Sequence, residues 1–316
     1  MNSNIAVDST KEYINIYRNE LLKILLKDRT TDENIIWATD DYSIYGSMYN
    51  ANQKIESKLI TGTRSKVIQP RVAKARKHQS NRTREKAEVF TPSWICNEQN
   101  NLIDEQWFGR KNIFNEQLNC SWRVIKEKIS FPNTKGRMWN DYVDALRMEI
   151  SCGEAPYLVS RYDTVTGDII SLQSRIGLLD RKMRVINENI SNEKEWHKWV
   201  QRAYQSIYAY EFQGDNLLLA RENLLFTFID NMKYKFNKEP TLAQLKKIAT
   251  IISWNVWQMD GTTFTVPLNG TRAETCQLTF FNYMEDVPKT KYCKIKDWRS
   301  KVTIEYASLV KGEING

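Results

Sequence analysis

Glu149-Ile150-Ser151-Cys152-Gly153-Glu154-Ala155-Pro156-Tyr157-Leu158 is the stretch on which the reading of the fold turns. Arg147 to Ile150 mixes apolar and charged residues as a short strand does, and Gly153 supplies the backbone freedom of a tight strand-to-loop turn. Two readings stay open on this segment alone: a turn that a small ligand approaches closely, and an ordinary structural turn of an α/β domain.

Outward from that turn, the same strand-turn-helix grammar recurs. Ser206-Ile207-Tyr208-Ala209-Tyr210-Glu211 reads as an apolar strand ending in an acid, and a helix follows through Leu217 to Leu225. A strand of this kind is where a nucleotide-binding fold holds ribose hydroxyls on a carboxylate, which singles out Glu211, whereas Asp215 reads as a charge at a helix N-terminus. Trp196, Trp199, Ala203 and Ile207 fall at helical spacing, Leu242 to Ile252 is another helical segment, and the run after it ends in the turn Asp260-Gly261. Arg161 to Ile169 has hairpin chemistry. The aromatic residues between 97 and 148 read chiefly as cover for the sheet, with stacking on a base as the rarer use. Thr30 to Glu33 resembles a helix start, and Cys276–Phe281 and Val302–Tyr306 alternate like strands that finish the sheet. The expected architecture is an α/β domain over 91–316 with a doubly wound, mostly parallel, Rossmann-like sheet, preceded over 1–90 by a mainly helical, basic N-terminal extension.

With 316 residues and 41% hydrophobic content the chain can bury a large core. No apolar run is long enough to span a bilayer and Met1 to Asn4 has no signal-peptide pattern, so a cytoplasmic protein without a membrane partner is expected. Five scattered cysteines without Cys-x-x-Cys spacing, and two histidines, argue for reduced thiols and against zinc. The formal charge of +8 is concentrated: Lys58, Arg64, Lys66, Arg71, Lys74, Arg76, Lys77, Arg82, Arg84 and Lys86 face only Glu85 between residues 57 and 86. Such a local excess is the electrostatic footprint of contact with a phosphate backbone, so DNA is the expected partner of this arm, against the plainer reading of a solvated basic segment.

The arm runs into Glu88-Val89-Phe90-Thr91-Pro92-Ser93-Trp94-Ile95. Thr91 fits a helix N-cap and Pro92 a first turn, with a helix from about Ser93 whose free amides suit an anionic group. Phe90-Thr91-Pro92 followed by Glu149 to Leu158 resembles the opening motifs of amino-group DNA methyltransferases acting at adenine N6. In that family a Phe/Tyr-Thr-Pro turn precedes Asp-Pro-x-Cys-Gly-x-Gly-x-Phe-Leu. Glu149 stands at the leading acid, Cys152-Gly153 match, and Tyr157-Leu158 stand at Phe-Leu, while Ala155-Pro156 replace the second glycine. Proline biases Ala155 away from the helical region, which predicts a stiffer, wider loop.

The resemblance covers roughly residues 82 to 261. It implies an S-adenosylmethionine pocket lined by Phe90, Thr91, Pro92, Glu149, Cys152, Gly153 and Tyr157, with Glu211 at the ribose and Asp260 at the adenine amine. Ala220-Arg221 and Asn223-Leu224 match the family's Ala-Arg-x-Asn-Leu helix. It further implies a modification subunit of a restriction-modification or phage-related system, with a partner subunit, while the charge excess of the basic arm puts DNA on Arg64, Lys66, Arg71, Lys74, Arg76, Lys77, Arg82 and Arg84. The chain departs from the family in having no Asn/Asp-Pro-Pro-aromatic motif, the element that clamps the target amine. No catalytic residue is therefore assigned. A non-catalytic protein that keeps the fold as cofactor sensor, DNA-binding scaffold or partner subunit is the alternative.

Overall fold

The computed structural model describes residues 19–74, 90–132, 134–268 and 291–311. In chain order the elements are a helix α1 over 19–25, then α2 (Ser93–Phe108), β1 (Asn115–Leu118), β2 (Ser121–Val124), α3 (Trp139–Asp144) and β3 (Arg147–Glu149). They continue with α4 (Leu178–Asn189), α5 (Glu193–Gln205), β4 (Ile207–Glu211), α6 (Gly214–Phe236), α7 (Leu242–Asn255) and β5 (Val256–Gln258). The chain closes with β6 (Lys294–Lys296), β7 (Thr303–Glu305) and α8 (Tyr306–Lys311).

β3, β4 and β5 form a parallel sheet in that order, with Glu149 opposite Ala209 and Glu211 opposite Gln258. The molecule is thus mixed α/β, and each step between neighbouring parallel strands crosses over through helices, as parallel pairing requires. β4 is buried along nearly its whole length because it lies between two strands and has side chains packed on both faces. The local sequence explains the helices: Asn192 accepts from the Glu195 amide to start α5, and Thr241 accepts from that of Gln244 to start α7. The long α6 is buried on most of its circumference, so it lies in the core instead of showing a polar stripe.

One large apolar cluster joins α4 to α7 with Leu21, Leu25, Trp37, Ile55 and Ile60, so residues 19–60 belong to the same core as the sheet. Arg221, fully buried on α6, stitches the two together. Its Nε donates to the Val256 carbonyl at 2.7 Å and Nη1 to those of Leu25 and Lys27, while burial pulls its pKa down to about 9. A second cluster, with Tyr210, Trp257, Met259, Cys293 and Ile295, is shared by the sheet and the β6–β7 pair.

Three local expectations change. Thr30 to Glu33 is a turn, not a helix start, because the Asp28 carboxylate accepts from the amides of Thr30 and Thr31 and Asp32 takes a left-handed φ of 63°. Beyond α1 the described part of the extension runs in short 3-10 turns, among them Ser43–Tyr45, Ser47–Tyr49 and Gly62–Arg64, in place of long helices. β7 pairs antiparallel with β6 in a sheet of its own, so it does not extend β3-β4-β5. The Cys276–Phe281 segment lies outside the described residues. No described helix is long and apolar enough to cross a membrane.

Candidate functional site

The carboxyl ends of β3, β4 and β5 bring Glu149, Glu211 and the residues just after Gln258 to one edge of the sheet, because parallel neighbours end on the same side. Open α/β sheets bind ligands at this edge. Glu149, at the end of β3, is buried and accepts from the Tyr157 and Leu158 amides at 3.3 and 3.1 Å, so the following loop folds back over it. Burial pushes its pKa up to about 8 against the pull of those two amides, and the nearby Glu211 charge adds to the rise.

The loop itself alternates into left-handed backbone at Ser151, Gly153 and Ala155, with φ of 47°, 53° and 63°. Ala155 therefore does not sit in the extended region that Pro156 suggests; it takes a left-handed conformation that favours glycine. A left-handed alanine costs roughly 1–2 kcal/mol. Its amide donates to the Cys152 carbonyl at 2.7 Å, and its carbonyl accepts from Val159 at 2.9 Å and Leu158 at 3.2 Å, which together hold the tight turn. Cys152 donates its amide to the Tyr210 carbonyl, and its buried thiol is pushed far up by desolvation. A Cβ on Gly153 would sit 3.4 Å from the Phe90 ring, so Phe90 lies directly against the loop.

Glu211 connects this loop to the next strand. Its Oε2 accepts from the Gly153 amide at 2.8 Å and its Oε1 from the Gln213 amide at 3.1 Å. At β5, Asp260 Oδ1 is taken up by the Thr262 amide and hydroxyl at 2.8 and 2.6 Å. Burial raises the Asp260 pKa, but these hydrogen bonds outweigh it and the net shift is downward. Asp260 is thus first of all a turn-closing residue.

The Phe-Thr-Pro turn is built differently from its sequence reading. Pro92 occupies the N-cap position without a side-chain cap, and the Ser93 amide donates instead to Asp163 Oδ2 at 2.7 Å. The same carboxylate closes the Asp163–Thr166 turn by accepting from Val165 and Thr166. The anion expected at this helix start is thus the chain's own. Thr91 offers its carbonyl to the Thr164 hydroxyl, and Tyr157 reaches back to Thr91 and Cys96.

Of the basic residues, Arg64 and Lys66 are exposed, whereas Arg71 and Lys74 turn inward. The Arg71 guanidinium lies 5.1 Å from the Phe90 ring, its amide donates to Glu154 Oε1 at 2.7 Å, and Lys74 pairs with Asp215 at 3.0 Å. Arg76, Lys77, Arg82 and Arg84 lie outside the described residues.

Sequence reasoning missed three side chains here, Glu154, Gln258 and Tyr42. Buried Glu154 accepts from Arg71 and from the Tyr162 hydroxyl, and Asn223 donates to the Glu154 carbonyl, which gives the Ala-Arg-x-Asn-Leu match a structural role. Gln258 holds Ile36 in a two-way bond, accepting from its amide and donating to its carbonyl at 2.9 Å each. Tyr42 donates to Asp215 Oδ2 at 2.7 Å. The backbone of Ile36 and Trp37 consequently lies on the start of α6, where Gly214 donates to the Trp37 carbonyl at 3.0 Å. Only Gly214 carried a signal, since a close backbone approach demands glycine; nothing marked Gln258 or Tyr42 as partners of segments so far away in sequence.

No metal-binding group of His, Cys, Asp or Glu occurs among the described residues, and the described cysteines are free. No family model, curated protein or solved structure matches the chain.

Proposed function

We propose that this chain is an S-adenosylmethionine- and DNA-binding protein of adenine-N6 methyltransferase type, built on one half of a Rossmann-like sheet and working in a restriction-modification or phage-related system. The observation that carries the reading is the hydrogen bond from the Gly153 amide to Glu211 across the carboxyl ends of adjacent parallel strands. It couples the left-handed loop to the acid that the methyltransferase resemblance puts at the ribose. In this reading Glu211 accepts from ribose hydroxyls and the loop around Gly153 lets the cofactor's methionine part approach the backbone. Phe90 walls that loop. S-adenosylmethionine supplies, when bound, an electrophilic methyl group on a cationic sulfonium. Arg64 and Lys66 meet DNA phosphates, while Arg71 and Lys74 tie the root of the arm to the mouth of the site.

A second reading, a non-catalytic cofactor sensor, DNA scaffold or partner subunit, draws on two observations. The chain has no Pro-Pro clamp, and the Ile36–Trp37 backbone lies between Gln258 and Gly214 at the carboxyl edge of the sheet. Titration calorimetry with millimolar S-adenosylmethionine tests cofactor binding. Wild-type protein should give heat, and Glu211→Ala should weaken binding by about 1–3 kcal/mol, the cost of losing a charged hydrogen-bond partner. No heat with the wild type would refute both readings of the pocket. Transfer of labelled methyl groups to adenine in duplex DNA decides between enzyme and scaffold.

A further inference from the structure

We propose that the groove between the Ser47–Tyr49 and Gly62–Arg64 turns binds one unpaired nucleotide of DNA, its base against Tyr45 and its phosphate on Arg64 and Lys66. The inference rests on the DNA-binding reading and gives it a single-strand site outside the cofactor edge.

The groove measures about 270 Å³ and is lined by Tyr45, Tyr49, Thr63, Arg64, Lys66 and Val67. That is just under the usual range of small-molecule clefts, roughly 300–1,000 Å³, which suits a single base better than a longer ligand. Tyr45 is 55% exposed, beside exposed Ile44 and Met48, so an aromatic face stands in water where burial would stabilise it. The ring is nevertheless held in place. It sits 5.6 Å from Tyr49, which sits 5.3 Å from the fully buried Trp37, and the Tyr49 hydroxyl donates to the Leu59 carbonyl at 3.1 Å. A chain of tilted ring contacts rooted in the core presents its last ring with less of the ordering cost that a loose side chain would incur.

The charge on the opposite wall selects the ligand. Arg64 and Lys66 are exposed, the Arg64 guanidinium lies 6.0 Å from the Tyr49 ring, and no carboxylate lines the groove among the described residues. Thr63 adds a neutral phosphate donor. An aromatic face beside paired cations is the combination that single-stranded nucleic acid uses, base on ring and phosphate on cation. Duplex DNA keeps its base faces stacked inside and has only phosphates to offer here.

The test is fluorescence anisotropy of the full chain with an oligothymidylate and with a duplex of equal length. Tyr45→Ala should raise Kd for the single strand about tenfold, within the range of one base-aromatic stack, and leave duplex binding within about twofold. Tyr45→Phe should bind as wild type does, and Arg64→Ala with Lys66→Ala should weaken both ligands and flatten the salt dependence. A 2-aminopurine base should be quenched by wild type and not by Tyr45→Ala. Unchanged single-strand binding by Tyr45→Ala, equal losses on both ligands, or full competition by polyglutamate would overturn the groove while leaving duplex binding intact as a finding. If wild type binds neither ligand, the DNA-binding reading falls together with it. Tyr45 is exposed, and unchanged thermal unfolding of the variant separates a binding loss from a folding loss.

Discussion

Replacing Glu149 with Gln should invert the ranking of the two proteins between pH 4 and pH 8. The Glu149 carboxyl is pushed from 4.5 up to about 8, chiefly by burial. In the unfolded chain it titrates as an ordinary glutamate. Between those values the folded chain holds a proton that the unfolded chain has lost, so stability is full below the unfolded value and falls as pH rises toward 8. The full displacement corresponds to about 5 kcal/mol, and relaxation of the loop reduces what is measured, so a loss of ~2–5 kcal/mol from this residue is expected. The Gln variant has no such proton and no such slope. Its amide nitrogen must face either the Tyr157 or the Leu158 amide, which costs about 1 kcal/mol at every pH. Wild type should therefore be the more stable at pH 4 and the variant at pH 8. Urea unfolding of both proteins at pH 4, 5, 6, 7 and 8 reads this directly, because the difference between them cancels every other titrating group. A difference that stays constant with pH would show that Glu149 ionises in the folded state as it does in water, and the account of its burial would be wrong.

Other expectations concern the supports of the same edge. Gly214→Ala would place a Cβ 2.0 Å from the Ile36 carbonyl oxygen, so the segment must lift off α6. Loss of its hydrogen bonds to Gly214 and Gln258 should cost about 2–4 kcal/mol in urea unfolding, and a cost below roughly 0.5 kcal/mol would show a loosely held segment. Asp163→Ala removes the carboxylate that serves Ser93, Val165 and Thr166, and should lower stability by about 1–2 kcal/mol at neutral pH. Because its folded pKa is depressed, that contribution should fade as pH falls through the acid range, and equal costs at neutral pH and well below the carboxylate range would refute the capping role. Replacing Arg71, Lys74, Arg76 and Lys77 with Ala should flatten log affinity against log salt by about 0.9 for each phosphate the chain no longer neutralises. Since Arg71 and Lys74 are engaged on Phe90 and Asp215, Arg76→Ala with Lys77→Ala alone should account for most of the change.

Calorimetry can also compare S-adenosylmethionine with its uncharged demethylated product. The sequence alone suggests that Phe90→Ala hurts the cationic ligand more, since a sulfonium is drawn to an aromatic face. With the Arg71 guanidinium already over that ring, equal losses are expected instead, and the preference should appear in Arg71→Ala. A charge-selective loss in Phe90→Ala alone would overturn this.

The sequence by itself determined what depends on near neighbours. Strands at Arg147–Glu149 and Ile207–Glu211, the helices that carry Leu217 to Leu225 and Leu242 to Ile252, the hairpin chemistry around Asp163 and the turn at Asp260 were legible from apolar spacing, capping residues and turn formers, because those preferences act within a few residues. Tertiary structure decided everything that needed two distant segments to meet. Ala155 takes a glycine's conformation because the loop's hydrogen bonds over Glu149 outweigh its steric cost. Ser93 is capped by Asp163 instead of Thr91 because the hairpin packs against that helix start. The edge of the sheet is lined by Ile36 because a buried glutamine, Gln258, must satisfy both its polar atoms and finds the backbone of the extension within reach. Local propensity carries no information about such meetings, since they are selected by which buried polar groups remain to be paired once the core has closed.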